Sequence, residues 1–342
     1  MKANIVFLIF INLVVFVAGI SILESNKKVE VKTEDPILEI INEPQILSPI
    51  NNITNAHPEY MSYPQIVEQL KKWNSEAPDM TEVKVYGKST KGQDLYYIRI
   101  CDTRNLETNN KPRILITACI HGNEPLATST TMWYIGELLK SYNSNEDIKE
   151  LLDSRDIYFV PVVSPDSYPT SRMVDGVDPN RNFSEDVSVL PVEAIKNLFY
   201  TIKPKAVIAG HTWGRVYLTP YGDIVKNCPN HSDYERIVGK MSELSGYRKM
   251  RACDMYKGNG RIDNPPIRTT DGNPVGGYKV MIPIYGTEVD WYYKNGSFPI
   301  IIEFGTHQRI PTTKDTEDEF DRTFKAVLHF IKEGPLVDVL LF

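Results

Sequence analysis

The chain has 342 residues, 42% of them apolar and 24% charged, with a formal net charge of −6 at pH 7. That composition fits a folded protein with a sizeable core in one or two domains and excludes a disordered or collagen-like chain. An acidic balance with no basic run argues against nucleic acid as a partner.

The N-terminus reads as a targeting segment. Lys2 precedes an apolar stretch over residues 5–23, broken by Asn12 and a few small residues, and Glu24, Lys27 and Lys28 follow it. A positive start, an apolar centre and the small residues near Val17-Ala18-Gly19 have the form of a secretory signal peptide over 1–23. The stretch is also long enough to serve as an uncleaved membrane anchor. Either way the body of the protein is expected to be exported. Residues 24–56 are polar, Pro-containing and without a sustained period, which reads as a linker or N-terminal arm. The domain-like pattern runs over 57–335 and leaves 336–342 as a tail.

Residues 63–73 place Ile66, Leu70 and Trp73 at helical spacing. Residues 82–86 and 94–101 alternate as strands of a hairpin or meander around Gly87 and Gly92. Residues 113–120 form a largely apolar run, typical of a strand buried on both faces. A helix over 125–140 opens on Pro125, where proline is tolerated. A second buried strand spans 157–163, a helix 192–201, and a third strand 206–209 leading to His211. A helix over 232–246, a fourth buried strand over 299–304 and a closing helix over 317–333 complete the series. Alternating strands and helices predict an α/β domain with a largely parallel sheet.

The polar residues that stand out lie at the ends of these strands. His121 and Glu124 follow the first, Asp178, Asn180 and Arg181 a loop after the second, His211 the third, and Glu303 sits near the end of the fourth. Open α/β sheets bind ligands at the carboxyl ends of their strands, so these distant segments are expected to converge on one crevice. His121, Glu124 and His211 would supply two imidazoles and a carboxylate, a catalytic zinc pattern that leaves a fourth position open. Glu303 is the candidate general base, because a glutamate ending an apolar strand is costly to bury without a role. Arginines nearby can pair with a substrate carboxylate or stabilise an oxyanion.

Each piece has a plainer reading. A lone His-x-x-Glu is usually incidental, His211 and Glu303 can be hydrogen-bonded structural groups, Arg181 a surface charge, and Asp178 a turn residue beside Pro179. The joint arrangement is what chance does not explain. His57, His231, His307 and His329 are left as structural or surface residues. The four cysteines, Cys101, Cys119, Cys228 and Cys253, include no Cys-x-x-Cys pair and so no thiolate zinc site. Export permits disulfides among them in three pairings.

Over about residues 57–335 the chain resembles the zinc carboxypeptidase family, the carboxypeptidase A-like metallopeptidases. The resemblance is carried by Tyr60-Met-Ser-Tyr63, the 86–95 segment, His121-Gly-Asn-Glu124 and Ser164-Pro-Asp166, where Ser replaces the usual Asn. It continues through Gly176-Val-Asp-Pro-Asn-Arg-Asn-Phe183, the 210–222 segment, the 286–293 segment and Ile300-Ile-Ile-Glu-Phe-Gly305. It implies a three-layer α/β/α sandwich around a mixed, largely parallel sheet of about eight strands.

By the same resemblance one Zn2+ ion is bound by His121, Glu124 and His211, and Glu303 is general base and then acid. Asn180 and Arg181 grip the C-terminal carboxylate of a peptide substrate. Asp178 hydrogen-bonds the far nitrogen of a zinc histidine, and Arg172 is the candidate for the oxyanion-stabilising arginine. Val289 stands where the family lines the base of its side-chain pocket, which favours an apolar C-terminal residue. Glu288 beside it would favour a basic one if it turned into that pocket. The family's mobile tyrosine has no direct match. A gapless comparison puts Ile282 there, with Tyr285 and Tyr278 as nearby substitutes for substrate binding. The expected activity is an exported metallocarboxypeptidase acting on peptides with a free C-terminus. The alternatives are a peptidoglycan-peptide hydrolase or amidase of the same fold, and a catalytically silent peptide-binding module.

Overall fold

The computed structural model describes residues 60–102, 111–184, 186, 189–255, 284–307 and 313–340. The expectations for the N-terminal segment and arm, and for His57, Tyr278 and Ile282, lie outside these residues. Helix α1 (Tyr63–Glu76) opens where the Ser62 backbone N–H donates to the Gln65 side chain, and it buries Ile66, Leu70 and Trp73. A hairpin of β1 (Thr81–Lys88) and β2 (Asp94–Ile100) follows. Then come β3 (Arg113–Ala118), α2 (Pro125–Ser141), α3 (Glu146–Ser154), β4 (Asp156–Val160) and α4 (Leu190–Ile202). The second half contains β5 (Ala206–Thr212), β6 (Val216–Thr219), α5 (His231–Ser245), β7 (Arg248–Arg251), α6 (Ala252–Met255), α7 (Glu288–Lys294), β8 (Phe298–Phe304) and α8 (Thr313–Glu333).

The strands form one eight-stranded sheet in the order β1-β2-β4-β3-β5-β8-β6-β7. Its centre, β4-β3-β5-β8, is parallel. The hairpin joins antiparallel through β2, and β6 runs antiparallel to β8. Side chains alternate between the faces of a strand, and this divides the core. Ile114, Ile116, Ile208, Ile300 and Ile302 pack on one face with residues of α1, α2, α3, α5 and α8. Leu115, Val160 and Val207 pack on the other with α4 and Tyr292 of α7. Farther along that second face Ala209, Leu218, Ile301 and Val289 make a smaller apolar cluster. The result is the expected sandwich.

Several elements differ from their expectations. His211 lies inside β5 rather than after it, because the pairing with β8 continues to Thr212 opposite Phe304. Strand β7, Arg-Lys-Met-Arg, is half-buried along its length and sits at the sheet edge, where charged residues guard against further pairing. Its composition gave no strand signal. Helix α3 is set by Asn145, whose side chain accepts from the N–H groups of Asp147 and Ile148, and by buried Ile148, Leu151 and Leu152. All four cysteines are buried free thiols, and burial pushes Cys253 up to about 11. No helix among the described residues is long and apolar enough to cross a membrane.

Two loops are held where the site needs them. Gly122 meets the loop after β4 so closely that a Cβ would lie 2.3 Å from the carbonyl carbon of Ser167. In the same loop Asp166 accepts hydrogen bonds from Ser89 Oγ (2.7 Å), Lys91 N (2.8 Å) and Gln93 Nε2 (2.8 Å), tying it to the hairpin turn. Burial pushes the Asp166 carboxyl up, but these three donors outweigh it and hold the group below its ordinary range. A depressed carboxyl stabilises the fold above its unfolded pKa of about 3.9, and the contribution is lost as pH falls through the folded value. Asp166→Asn is therefore expected to melt below wild type at pH 7. The gap should close as the pH drops below about 4, in thermal melts taken across that range.

Candidate metal centre

The turn after β3 supplies the first two side chains. Cys119 adopts a φ of 54° as the strand ends, and Glu124 stands at the N-terminus of α2 ahead of Pro125. Its side chain makes no capping bond there. Instead Glu124 Oε1 lies 2.9 Å from His121 Nδ1, and Oε2 lies 3.0 Å from His211 Nδ1. The Thr212 N–H donates to Oε2 at 3.2 Å. His211 arrives from β5, directly across the parallel pairing from Glu303 in β8. Both follow residues of the small apolar cluster by one period of two, His211 after Ala209 and Glu303 after Ile301. The site and that cluster therefore share one face of the sheet.

One donor atom each from His121, Glu124 and His211 lies within 4.8 Å of the others, and all three residues are buried. Two imidazole nitrogens and one carboxylate oxygen, converging with no fourth protein donor in the set, suit a catalytic divalent metal such as zinc.

The far side of each ring is also engaged. His121 Nε2 lies 2.9 Å from Asp178 Oδ1. Asp178 Oδ2 accepts from Nε and Nη2 of Arg172, at 3.0 and 2.9 Å. Asp178 Oδ1 also accepts from Asn180 N at 3.0 Å, which opens the 3-10 turn Pro179–Arg181. His211 Nε2 lies 2.6 Å from Glu288 Oε1. Glu288 was weighed from sequence only as a residue of the side-chain pocket; the structure turns it onto a histidine instead. Nothing in its local sequence, at the start of α7, distinguishes the two orientations.

The charges explain the protonation. Burial pushes Glu124 up, but His121 and His211 overcome it and hold the carboxylate well below its usual range. Asp178 behaves alike: burial is outweighed by His121, Arg172 and Arg181. Burial disfavours a charged His211, yet Glu124 and then Glu288 raise it well above the ordinary imidazole value. Glu303 goes the other way. Burial, with Glu124 and Glu288 adding to it against His211 and Arg172, pushes it up to about 8. The cluster is short of positive charge in a form that a dication at the three donors would supply.

The remaining expected residues fall at graded distances from this centre. Arg172 Nη1 is 3.9 Å from Glu124 Oε1. The Arg181 Nη1 donates to the Asn180 carbonyl at 2.7 Å. Gly286 packs on the Arg181 backbone so tightly that a Cβ would lie 2.5 Å from its carbonyl oxygen, and its φ of +69° also favours glycine. Asn180 is buried, and its Oδ1 accepts from Glu288 N at 2.8 Å. Val289 is buried in the apolar cluster with Ala209, Leu218 and Ile301. Tyr285 is 68% exposed. Its neighbours in the 256–283 stretch lie outside the described residues.

A family profile described as zinc carboxypeptidase matches residues 66–326. The chain belongs to the zinc carboxypeptidase family. It is similar to a zinc carboxypeptidase of Simulium vittatum, 24% identical over 311 residues, which span 76% of this chain and 94% of that protein. It is also similar to carboxypeptidase B of Rattus norvegicus, 26% identical over 232 residues, covering 56% of this chain and 54% of that one. The crystal structure of thrombin activatable fibrinolysis inhibitor superposes with a TM-score of 0.70 at 16% identity, over 84% of this chain and 78% of the other. As a member of the family this chain is a zinc metallopeptidase.

A metal on the two Nδ1 atoms has to displace the proton that the paired carboxylates hold on His211. Zinc binding is expected to release about one to two protons per ion near neutral pH and to tighten as the pH rises. Calorimetry in buffers of different ionisation enthalpy measures this, and zero net release would contradict it.

Proposed function

We propose that this zinc carboxypeptidase family member hydrolyses the C-terminal peptide bond of peptides with a free carboxylate. The observation that carries the reading is one buried cluster holding the His121-Glu124-His211 donor set beside a protonatable Glu303. One bound zinc ion, held by those three residues, would supply a Lewis acid and lower the pKa of water. Glu303 takes a proton from the attacking water and later delivers it to the leaving amine. Without a metal, burial pushes Glu303 up to about 8; a dication at the three donors would draw it down to where it can accept a proton near neutral pH. Asp178 holds the His121 ring from its far nitrogen.

Arg172, half-exposed, with Nη1 close to Glu124, is assigned to donate to the oxygen that gains charge as the carbonyl becomes tetrahedral. Asn180 and Arg181, on the turn that Gly286 presses against, are assigned to the substrate carboxylate. The Asn180 amide oxygen is already taken by Glu288 N, which leaves its NH2 group to donate. Val289, Leu218 and Ile301 form an apolar wall on the same face, which favours an apolar C-terminal side chain. Tyr285 is exposed and is assigned a closing contact on bound substrate. The apolar segment over 5–23 supports an exported protein, secreted or anchored by that segment, with residues 57–335 as its catalytic domain.

Zinc-loaded protein is expected to remove apolar residues from free C-termini, to leave amidated peptides intact and to stop on chelation. Mass spectrometry of a peptide-mixture digest reads all three. Equal cleavage of amidated peptides would sink the exopeptidase reading. Glu303→Gln should lower kcat by about 10²–10⁴-fold while zinc stays bound. If wild type and this variant turn over equally slowly, a silent binding module becomes the better description. Arg181→Ala should lower kcat/KM by roughly tenfold to a hundredfold for free C-termini.

A further inference from the structure

We infer that Glu288 is a positioning residue for the metal ligand His211, the counterpart on the second histidine of what Asp178 does for the first. The two imidazoles are treated alike. Each turns Nδ1 to Glu124, and each places Nε2 against a second carboxylate, at 2.9 Å for Asp178 and 2.6 Å for Glu288. A histidine that binds a metal through Nδ1 carries its remaining proton on Nε2, and that proton needs an acceptor where water is scarce. Asn180 is the other polar group close to Nε2, with Nδ2 at 3.5 Å. It cannot take the proton, because its Oδ1 accepts from Glu288 N and its NH2 end faces the ring. Glu288 is left as the acceptor.

The Glu288 carboxylate is held to this task. The residue is 1% exposed and sits in the first turn of α7, whose start is fixed by the Thr287 side chain accepting from Asp290 N. Asn180 ties the two segments together: its backbone N–H donates to the Asp178 carboxylate and its side-chain Oδ1 accepts from the Glu288 backbone N–H. The rival role for Glu288 is to select a basic C-terminal side chain. That role needs its carboxylate in the apolar cluster beside Val289, whereas the carboxylate lies against His211. An anionic acceptor makes His211 a more basic ligand, so Glu288 is expected to tighten zinc binding and not to set substrate preference.

The inference rests on the zinc reading above, and the test separates the two. Zinc affinity is measured by competition with a chromophoric chelator for wild type, Glu288→Gln and Glu288→Ala, with thermal melts of the metal-free proteins to establish folding. Expected is a 10–100-fold weaker affinity for Glu288→Ala. Glu288→Gln, which keeps an acceptor oxygen but loses the charge, should fall between. The ratio of kcat/KM for peptides ending in Leu and in Lys should not move. Wild-type zinc affinity in Glu288→Ala would overturn the inference while the zinc reading stands. So would a changed Leu-to-Lys ratio with zinc affinity intact. If Glu288→Ala does not fold, unchanged affinity in Glu288→Gln overturns it equally. Failure of the wild type to bind zinc at all would overturn the metal reading and this inference with it.

Discussion

Four carboxylates, Glu124, Asp178, Glu288 and Glu303, cluster with two imidazoles, and their charges have to cancel. A buried ion left unpaired costs several kcal/mol, so such a group either finds a partner or holds a proton. Here both happen. His121, His211 and Arg172 keep Glu124 and Asp178 ionised, while Glu303, facing two other carboxylates, holds its proton up to about 8. The same imbalance that makes the three inner donors a good cation site makes Glu303 a group able to trade a proton near neutral pH. Affinity for a dication and the raised proton affinity of Glu303 in the metal-free site thus have one electrostatic cause.

The sheet makes that crowding possible. Parallel pairing of β5 with β8 sets His211 beside Glu303, and the strand period of two sends both to the face that carries Ala209, Ile301 and Val289. The charged centre and a small apolar cluster are therefore neighbours on one face of the sheet. The loops that finish the site are fixed by close backbone approach: Gly122 on Ser167, and Gly286 on Arg181. A side chain at either glycine would push apart the turn carrying His121 and Glu124 or the turn carrying Asn180 and Arg181.

Much of the fold was legible because its signals are local. Buried parallel strands show as apolar runs, and Ile114, Ile157, Ala206 and Ile300 all lie within strands expected from sequence. The β7 edge and the short helix α7 were not legible. Strand β7 is charged at three of its four residues and pairs only along one side, and the short helix α7 is defined by what it packs against. The inner donors were legible because His121 and Glu124 are close in sequence and His211 and Glu303 end apolar strands. Glu288 was not, since the direction of a glutamate on the first turn of a helix depends on groups far away in the chain.

The sequence by itself determined the α/β alternation, the chemical identity of the clustered donors and the family, because residue type and spacing carry that information. The tertiary structure decided which nitrogen each histidine turns inward, which carboxylate stands behind each ring, and that Val289 belongs to an apolar wall. Those choices are made by contacts between residues such as Asn180 and Glu288, far apart in the chain and adjacent only once the sheet has brought its strand ends together.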